Sequence, residues 1–547
     1  MPGQDRADGG PFDALALGRA ALARGAWEEA RAAFEPASAG PKAAEALEGL
    51  GWALWWLDRV EESLAAREKA FALLSRGGDR RRAARVALHL AVDTADVRGP
   101  ALTRGWLERA HSLLGPLAET PEHGWLELWK GHVHLLFDDD PDAARRSAER
   151  TREVARRFGL SDLELLGRAL EGLVLVRSGE VADGMRRLDE ATAAAVSGEI
   201  ADLDAVATAC CFMVYACEHV RDYDRASQWR GRVDALSRSW GIRDPLAGCR
   251  IQHARLLLFT GRWPEAEALL SSPSETGAAT RPANAREAAA CLGELRRRQG
   301  RAPEAEKLFL EAEGLSSGFL GLAVLALDRG DAHGALEHLD RAARRVGPGD
   351  LAMRIAILEQ LLAARLATGE GAAARETADE IDDLAARAGT PALLAAARLS
   401  RGRLALAARA WEEAVRATED ALDLFVASGA AWETACARLL LAEALRRGGR
   451  TDRAEGEASR AREALATLGA SDPSARRAPV SGPDSRPTAR ELEVLRLVGE
   501  GLSDREIAGR LGLSAHTVHR HVANVLGRLG CSSRAAAVRR AAREGLI

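Results

Sequence analysis

Residues 503–530 read SDREIAGRLGLSAHTVHRHVANVLGRLG, and the spacing of their caps and apolar positions predicts two helices joined by a sharp turn. Ser503 and Glu506 stand three apart, the reciprocal pairing of a capping box, with Leu502 and Ile507 placed to staple the chain as it enters the helix. Ile507, Ala508 and Leu511 carry that helix forward, and Gly512 follows it, free to take the positive φ that a tight helix–helix turn demands. Leu513, Ser514 and Val518 repeat the staple and cap for the next helix. At 100° per residue, Val518, Val522, Val525, Leu526 and Leu529 fall on one side of it. His516, Arg520, Ala523 and Gly527 occupy the opposite side, flanked by His519 and Asn524, with His521 nearer the buried edge. Such a face offers donors and acceptors for base edges and lets the backbone sink into a major groove. Upstream, Thr488 and Glu491 form a further capping box ahead of Leu492, Leu495, Leu497 and Val498, and Gly501 ends that helix.

The stretches TARELEVLRLVGEGLSDREIAGRLGLS (488–514), TVHRHVANVLGRLG (517–530) and SSRAAAV (532–538) resemble the C-terminal DNA-binding domain of the LuxR family. The resemblance implies a small four-helix domain at residues 488–547, in which the third helix enters the major groove and the second supports it. A fourth, here Ser532 to Glu544, would pair two copies across a dyad on promoter DNA. It places His519, Arg520 and Ala523 on base-facing positions, which His516 joins from the helical wheel. Thr517, Arg505 and Arg528 fall on phosphate-facing positions, with Asn524 beside them. Ala508, Gly512, Val518 and His521 take structural roles in the turn and core. The chain departs from the family at Pro487 and Ala489, where Leu and Pro usually flank the opening Thr, and at His519, where Lys or Glu is common.

Three histidines within six residues raise the question of metal, but spacings of three and two do not put them on one face, and no carboxylate or second thiol is at hand. No metal or other cofactor is expected, and Cys531, lacking a partner, reads as a small apolar residue. Residues 486–547 hold eleven Arg against six acidic residues, a net of +5, leaving −9 for the rest of a chain whose formal charge is −4. The positive end is the one that should meet phosphate. Seven scattered cysteines fit a reducing compartment, no signal peptide is read, and no apolar run is long enough to span a bilayer. A cytoplasmic protein is expected.

Before residue 468 one phrase recurs: a Gly or polar turn, a bulky residue, then Ala five positions after the turn. GAWEEARAAFEPA at Gly25 is its clearest form, and others start at Asp58, Gly179, Asp222, Gly261, Gly300, Gly330, Gly369, Arg409 and Gly449. Starts spaced mostly 39 or 40 residues apart are what stacked helix pairs produce. The phrase resembles tetratricopeptide repeats and the looser repeats of large LuxR-type activators. The fold class expected is therefore all-α: a disordered N-terminus (1–11), an α-solenoid of helical hairpins (12–468), a flexible tether rich in Pro, Ser and Gly (469–487), and the helix-turn-helix domain (488–547). The stretch 271–285 reads as a longer loop. Trp52 with Trp56, Trp125 with Trp129, and Cys210 with Cys217 read as core.

Those large activators begin with a nucleotide-binding domain, which needs Gly-Lys followed by Ser or Thr to cradle phosphate. None of Lys42, Lys69, Lys130 and Lys307 sits in that setting. No catalytic constellation is found, and an enzyme is not expected. The function expected is sequence-specific transcriptional regulation, the array receiving a protein or small-molecule effector and the C-terminal domain binding a promoter as a dimer in concert with RNA polymerase. The alternative is an interaction scaffold that uses the helix-turn-helix for non-specific attachment to nucleic acid.

Overall fold

The computed structural model describes residues 11–97, 99–200, 202–240, 250–271, 282–473, 487, 489–529, 531 and 533–547. Within them every regular element is a helix. The first run in antiparallel pairs: α1 (Pro11–Ala23) with α2 (Trp27–Ala37), α3 (Ala43–Trp56) with α4 (Val60–Arg76), α5 (Arg80–Val97) with α6 (Pro100–Leu114), and α7 (Pro121–Leu136) with α8 (Pro141–Phe158). Next come α9 (Ser161–Ser178) with α10 (Val181–Val196), α11 (Leu203–His219) with α12 (Tyr223–Trp240), α13 (Arg250–Phe259) with α14 (Trp263–Ser271), and α15 (Pro282–Arg298) with α16 (Ala302–Glu311). The last pairs are α17 (Ser316–Asp328) with α18 (Ala332–Ala343), α19 (Leu351–Thr368) with α20 (Gly371–Ala388), α21 (Pro391–Ala407) with α22 (Trp411–Ala427), and α23 (Ala431–Arg447) with α24 (Thr451–Leu468). Four further helices follow: α25 (Ala489–Gly499), α26 (Asp504–Leu511), α27 (Ala515–Arg528) and α28 (Arg534–Arg543).

One turn joins ten of these pairs. Its last residue but one has left-handed backbone, and the next N–H reaches back five residues to a carbonyl of the first helix, as from Ala26 to Ala21 (2.9 Å) and from Arg450 to Leu445 (2.9 Å). Glycine fills the left-handed position at 25, 179, 261, 300, 330, 369 and 449, while Asp58, Arg221 and Arg409 adopt it with φ of 59°, 50° and 60°. The turn expected at Asp222 is thus centred one residue earlier. Asp222 instead accepts the Arg225 N–H at the start of α12 (3.3 Å). Counted from the left-handed residue, the fifth position is small in every case, and Ala30, Ala266, Ala305, Ala335, Ala374, Ala414 and Ala454 are fully buried. Ser63 fills it in α4 and bonds the Gly51 carbonyl (2.7 Å). Gly184 fills it in α10, where a Cβ would stand 2.6 Å from the Gly172 carbonyl oxygen. The small residue lets two helix backbones touch, and the left-handed residue aims the second helix back along the first.

The turns at Gly99 and Asp139 went unread in the sequence; after α7 the chain spends an extra residue, Asp139 taking φ 51° and Asp140 capping α8 through the Ala143 N–H (2.9 Å). Trp129, Cys210 and Cys217 lie in the core, and Trp56 stacks on Trp27 (centroids 5.3 Å). The expected loop at 271–285 is helical from Pro282; residues 272–281 lie outside the described residues, as do residues 1–10 and, from the expected tether, 474–486. The beginning of that tether is fastened to the array, since the Ser471 N–H donates to the Arg298 carbonyl (3.0 Å).

The array does not run on as an open rod. A single apolar cluster contains residues of α5 to α12 together with Leu351, Ile355, Ile381, Leu384 and Leu393, so α19, α20 and α21 return to pack on the middle of the array. Thr390 Oγ1 donates to the Val220 carbonyl 170 residues away (2.5 Å), and Trp432 of α23 meets Trp263 of α14 (centroids 6.0 Å). The first helices of seven successive pairs, α11, α13, α15, α17, α19, α21 and α23, surround a cavity of about 1210 Å³.

Candidate nucleic-acid interface

The C-terminal helices close around two small adjoining clusters. Val494, Leu497, Ile507, Ala508, Val518 and Val522 form the first, with Leu502, Leu511 and Leu513 packed against it. Leu495, Val525, Leu529, Ala537 and Ala541 form the second. Val518, Val522, Val525 and Leu529 therefore share one buried stripe of α27, the side expected from the wheel. Apolar residues four, three and four apart on a helix of this length leave the far side for solvent.

The joints are capped as their sequence suggests. The Glu506 N–H donates to Ser503 Oγ (3.4 Å) while the Ser503 N–H donates to the Glu506 carboxylate (2.8 Å), closing the capping box at the head of α26. The Ser503 hydroxyl also donates to that carboxylate (2.7 Å), and with the Ser503 N–H it holds the Glu506 carboxyl below its ordinary pKa, the hydroxyl contributing most. Gly512 has φ +65°, and the Leu513 N–H returns to the Ala508 carbonyl (3.0 Å). Ser514 caps α27 by accepting the Thr517 N–H (3.1 Å), and its hydroxyl lies 2.8 Å from the Thr517 hydroxyl. Thr488 lies outside the described residues, so the first expected box has only Glu491, which is buried.

Of the residues expected to face DNA, His519 is 66% exposed and Arg505 is exposed, while Thr517 and Asn524 are half-buried. Positions 516, 520, 523 and 528 lie on α27, and their side chains are outside the described residues. Ala508 and Val518 are buried and His521 is half-buried.

Sequence reading missed what holds α27 in place. Asp504, at the first turn of α26, accepts two bonds from the Arg534 guanidinium of α28 (2.8 Å each) and lies 3.3 Å from His519 Nδ1. One carboxylate thus ties α26, α27 and α28, and Arg534, followed by His519, holds it below the usual carboxylate range. Arg490 of α25 also donates to the Leu511 carbonyl at the foot of α26 (3.0 Å). Neither link has a local signature, since Asp504 and Arg534 are 30 residues apart and Arg490 and Leu511 are 21 apart. The fourth helix begins at Arg534 with Ser533 as its cap, the Ser533 hydroxyl accepting the Ala536 N–H (3.2 Å). Ala537 and Ala541 face inward, leaving Arg539, Arg540 and Arg543 exposed.

Residues 488–541 match the family of bacterial regulatory proteins designated luxR. Over 58 residues the chain is 48% identical to helix-turn-helix-type transcriptional regulators of Mycobacterium bovis and Mycobacterium tuberculosis. That stretch is 11% of this chain and 7% of the length of each relative. Two solved structures align with the chain at low similarity. One is the APC/C hetero-tetramer Cut9–Hcn1, with TM-score 0.44 at 13% identity over 98% of this chain and 97% of that one. The other is a Rap protein complexed with competence and sporulation factor, with TM-score 0.35 at 13% identity over 74% of this chain and 98% of that one. Among the described residues no helix is long and apolar enough to cross a membrane.

Proposed function

We propose that this chain, whose C-terminal domain is a helix-turn-helix of the luxR family, is a transcriptional regulator that reads promoter DNA through α27 and receives its signal through the helical array. The observation that carries the reading is the two-sided build of α27: a buried valine stripe locks one side to the domain while His519 stands exposed, anchored by Asp504. A recognition helix needs that combination, because phosphate contacts fix register while base edges are read by side chains that stay exposed on the docked helix. In this reading His516, His519, Arg520 and Ala523 face bases. Arg505, Thr517, Asn524 and Arg528 face phosphates, Thr517 through a hydroxyl that also serves the Ser514 cap. Residues 12–468 form the receiving array, 469–487 the tether and 488–547 the reader, which binds as a dimer through α28 and engages RNA polymerase from the cytoplasm.

The test is selection from genomic fragments followed by footprinting with the full chain. Protection of a short site with two-fold symmetry supports the reading. Uniform binding to all fragments, with a steep loss of affinity as salt rises, replaces it with a scaffold that attaches to nucleic acid without reading it.

A further inference from the structure

Each of the seven helices around the array's cavity gives it one face. On α21 these are Leu399, Arg403 and Leu406, and on α23 Trp432, Cys436 and Leu440, residues spaced by three or four. The wall mixes aromatic and aliphatic surface with many charges. Tyr223 and Phe259 sit together on it (centroids 4.3 Å) in one cluster with Phe425, and Leu320 lines it too. Most of its arginines are already neutralised: Arg255 by Glu218 and Glu287, Arg297 by Glu294 (2.7 Å), and Arg298 by Glu433 (3.0 Å).

Arg403 differs. It is half-buried in the middle of α21, and among the described residues no carboxylate lies within ion-pairing distance of it. Glu359 of the neighbouring α19, an acid that feels the Arg403 charge, is paired loosely with Arg221 (3.9 Å) and is pushed above the usual carboxylate range by burial. Arg345 also lines the wall, has no carboxylate partner among the described residues and lies over the Phe319 ring at 4.8 Å. Arg462 shares that condition but is exposed at the rim.

We infer that this cavity is a binding site for an amphiphilic organic anion, its charged group held by Arg403 and its apolar body laid against the Tyr223, Phe259 and Trp432 surface. An anion is favoured there because a guanidinium partly withdrawn from water attracts it more strongly than a surface arginine does, and can bond two oxygens at once. At about 1210 Å³ the space exceeds the roughly 300–1,000 Å³ of a usual small-molecule pocket, so the ligand carries its own water or is large for a metabolite. Because seven hairpins meet at the wall, occupancy bears on the packing of the whole ring. That the occupant is the regulatory signal rests on the function proposed above; the site itself does not.

The experiment titrates the full chain with 8-anilinonaphthalene-1-sulfonate and, separately, with N-phenyl-1-naphthylamine, which has the same rings without the sulfonate. Saturable one-to-one binding of the sulfonate is expected. Arg403→Met should weaken it about tenfold or more, Arg403→Lys less, and Arg462→Met not at all, while the neutral probe changes less than about twofold with any of them. Circular dichroism melting confirms that each variant keeps the fold, and Arg403→Lys supplies the comparison if Arg403→Met does not. Absence of stoichiometric binding, equal weakening of both probes, or indifference of the sulfonate to position 403 overturns the inference. DNA selection on the same preparations is read separately, so a chain that binds the anion but no DNA sequence sinks only the regulator reading.

Discussion

Replacing Asp504 with Asn should loosen α27 without unfolding the chain. The carboxylate receives two 2.8 Å bonds from Arg534 and is only 21% exposed, whereas Arg534 is 40% exposed. Hydrogen bonds to a charged group contribute roughly 1.5–3 kcal/mol when sheltered and surface ion pairs about 0–1, so the link should contribute about 1–2 kcal/mol to holding α28 and α27 on α26. Amide exchange in those two helices, followed by mass spectrometry on the full chain, should then quicken by about 5–30-fold in Asp504→Asn, while amides of α1 to α24 keep their rates. The pH dependence gives a second reading. Arg534 depresses the folded-state pKa of Asp504, so the link is fully present above the ordinary aspartate pKa of about 3.9 and is lost as pH falls through the lower folded value. After correction for intrinsic exchange, the difference between wild type and Asp504→Asn should still be present at about pH 5 and shrink below about 4. Exchange in α27 and α28 within twofold of wild type at neutral pH would refute the reasoning.

Gly512→Val places a β-branched residue at φ +65° and should cost about 1–2 kcal/mol, seen as faster exchange across α26 and α27; protection equal to wild type would show that the turn relaxes without cost. Arg520→Ala should relax sequence preference and weaken the selected site by about 1–3 kcal/mol, and an unchanged footprint and affinity would remove Arg520 from base reading. Gly184→Ala pushes a methyl to within 2.6 Å of the Gly172 carbonyl and 2.8 Å of the Val176 amide nitrogen, so α9 and α10 must part. Urea denaturation should show a loss of about 1–3 kcal/mol, and an unshifted midpoint would mean that the crossing is slack.

What could be read from the chain follows from how far each interaction reaches. A left-handed turn and the small residue five positions later are local, so Gly25 with Ala30, or Gly449 with Ala454, announce a hairpin by themselves. Arg221 shows where that reading slips: arginine carries no turn signal, so the adjacent Asp222 drew the turn to itself, although it serves to cap the following helix. Asp139 hides its hairpin differently: it stands between Asp138 and Asp140, and nothing local marks which of the three turns the chain. In the C-terminal domain the capping box and Gly512 are local and legible, whereas the Asp504–Arg534 link exists only once three helices have docked.

The cavity is the extreme case. Its wall is assembled mainly from one face of each of seven helices, and each face taken alone alternates apolar residues with charges as any half-exposed helix does. Arg403 looks no different in the chain from Arg401, which stands two residues away and is bound by Asp379 (2.6 Å) and Asp382 (2.7 Å). Only the closing of the ring, through contacts such as Thr390 with Val220, separates the arginine that the fold uses from the one that it leaves facing the interior. A solenoid shapes such a site by curvature, a property of the sum of its hairpin angles, and those angles are set by which small residue lets each pair of helices approach. Substitutions at the crossings of those hairpins, Ala305 and Ala414 among them, should therefore change binding in the cavity without touching its wall. Substitutions at Arg403 should change binding without altering the array's stability.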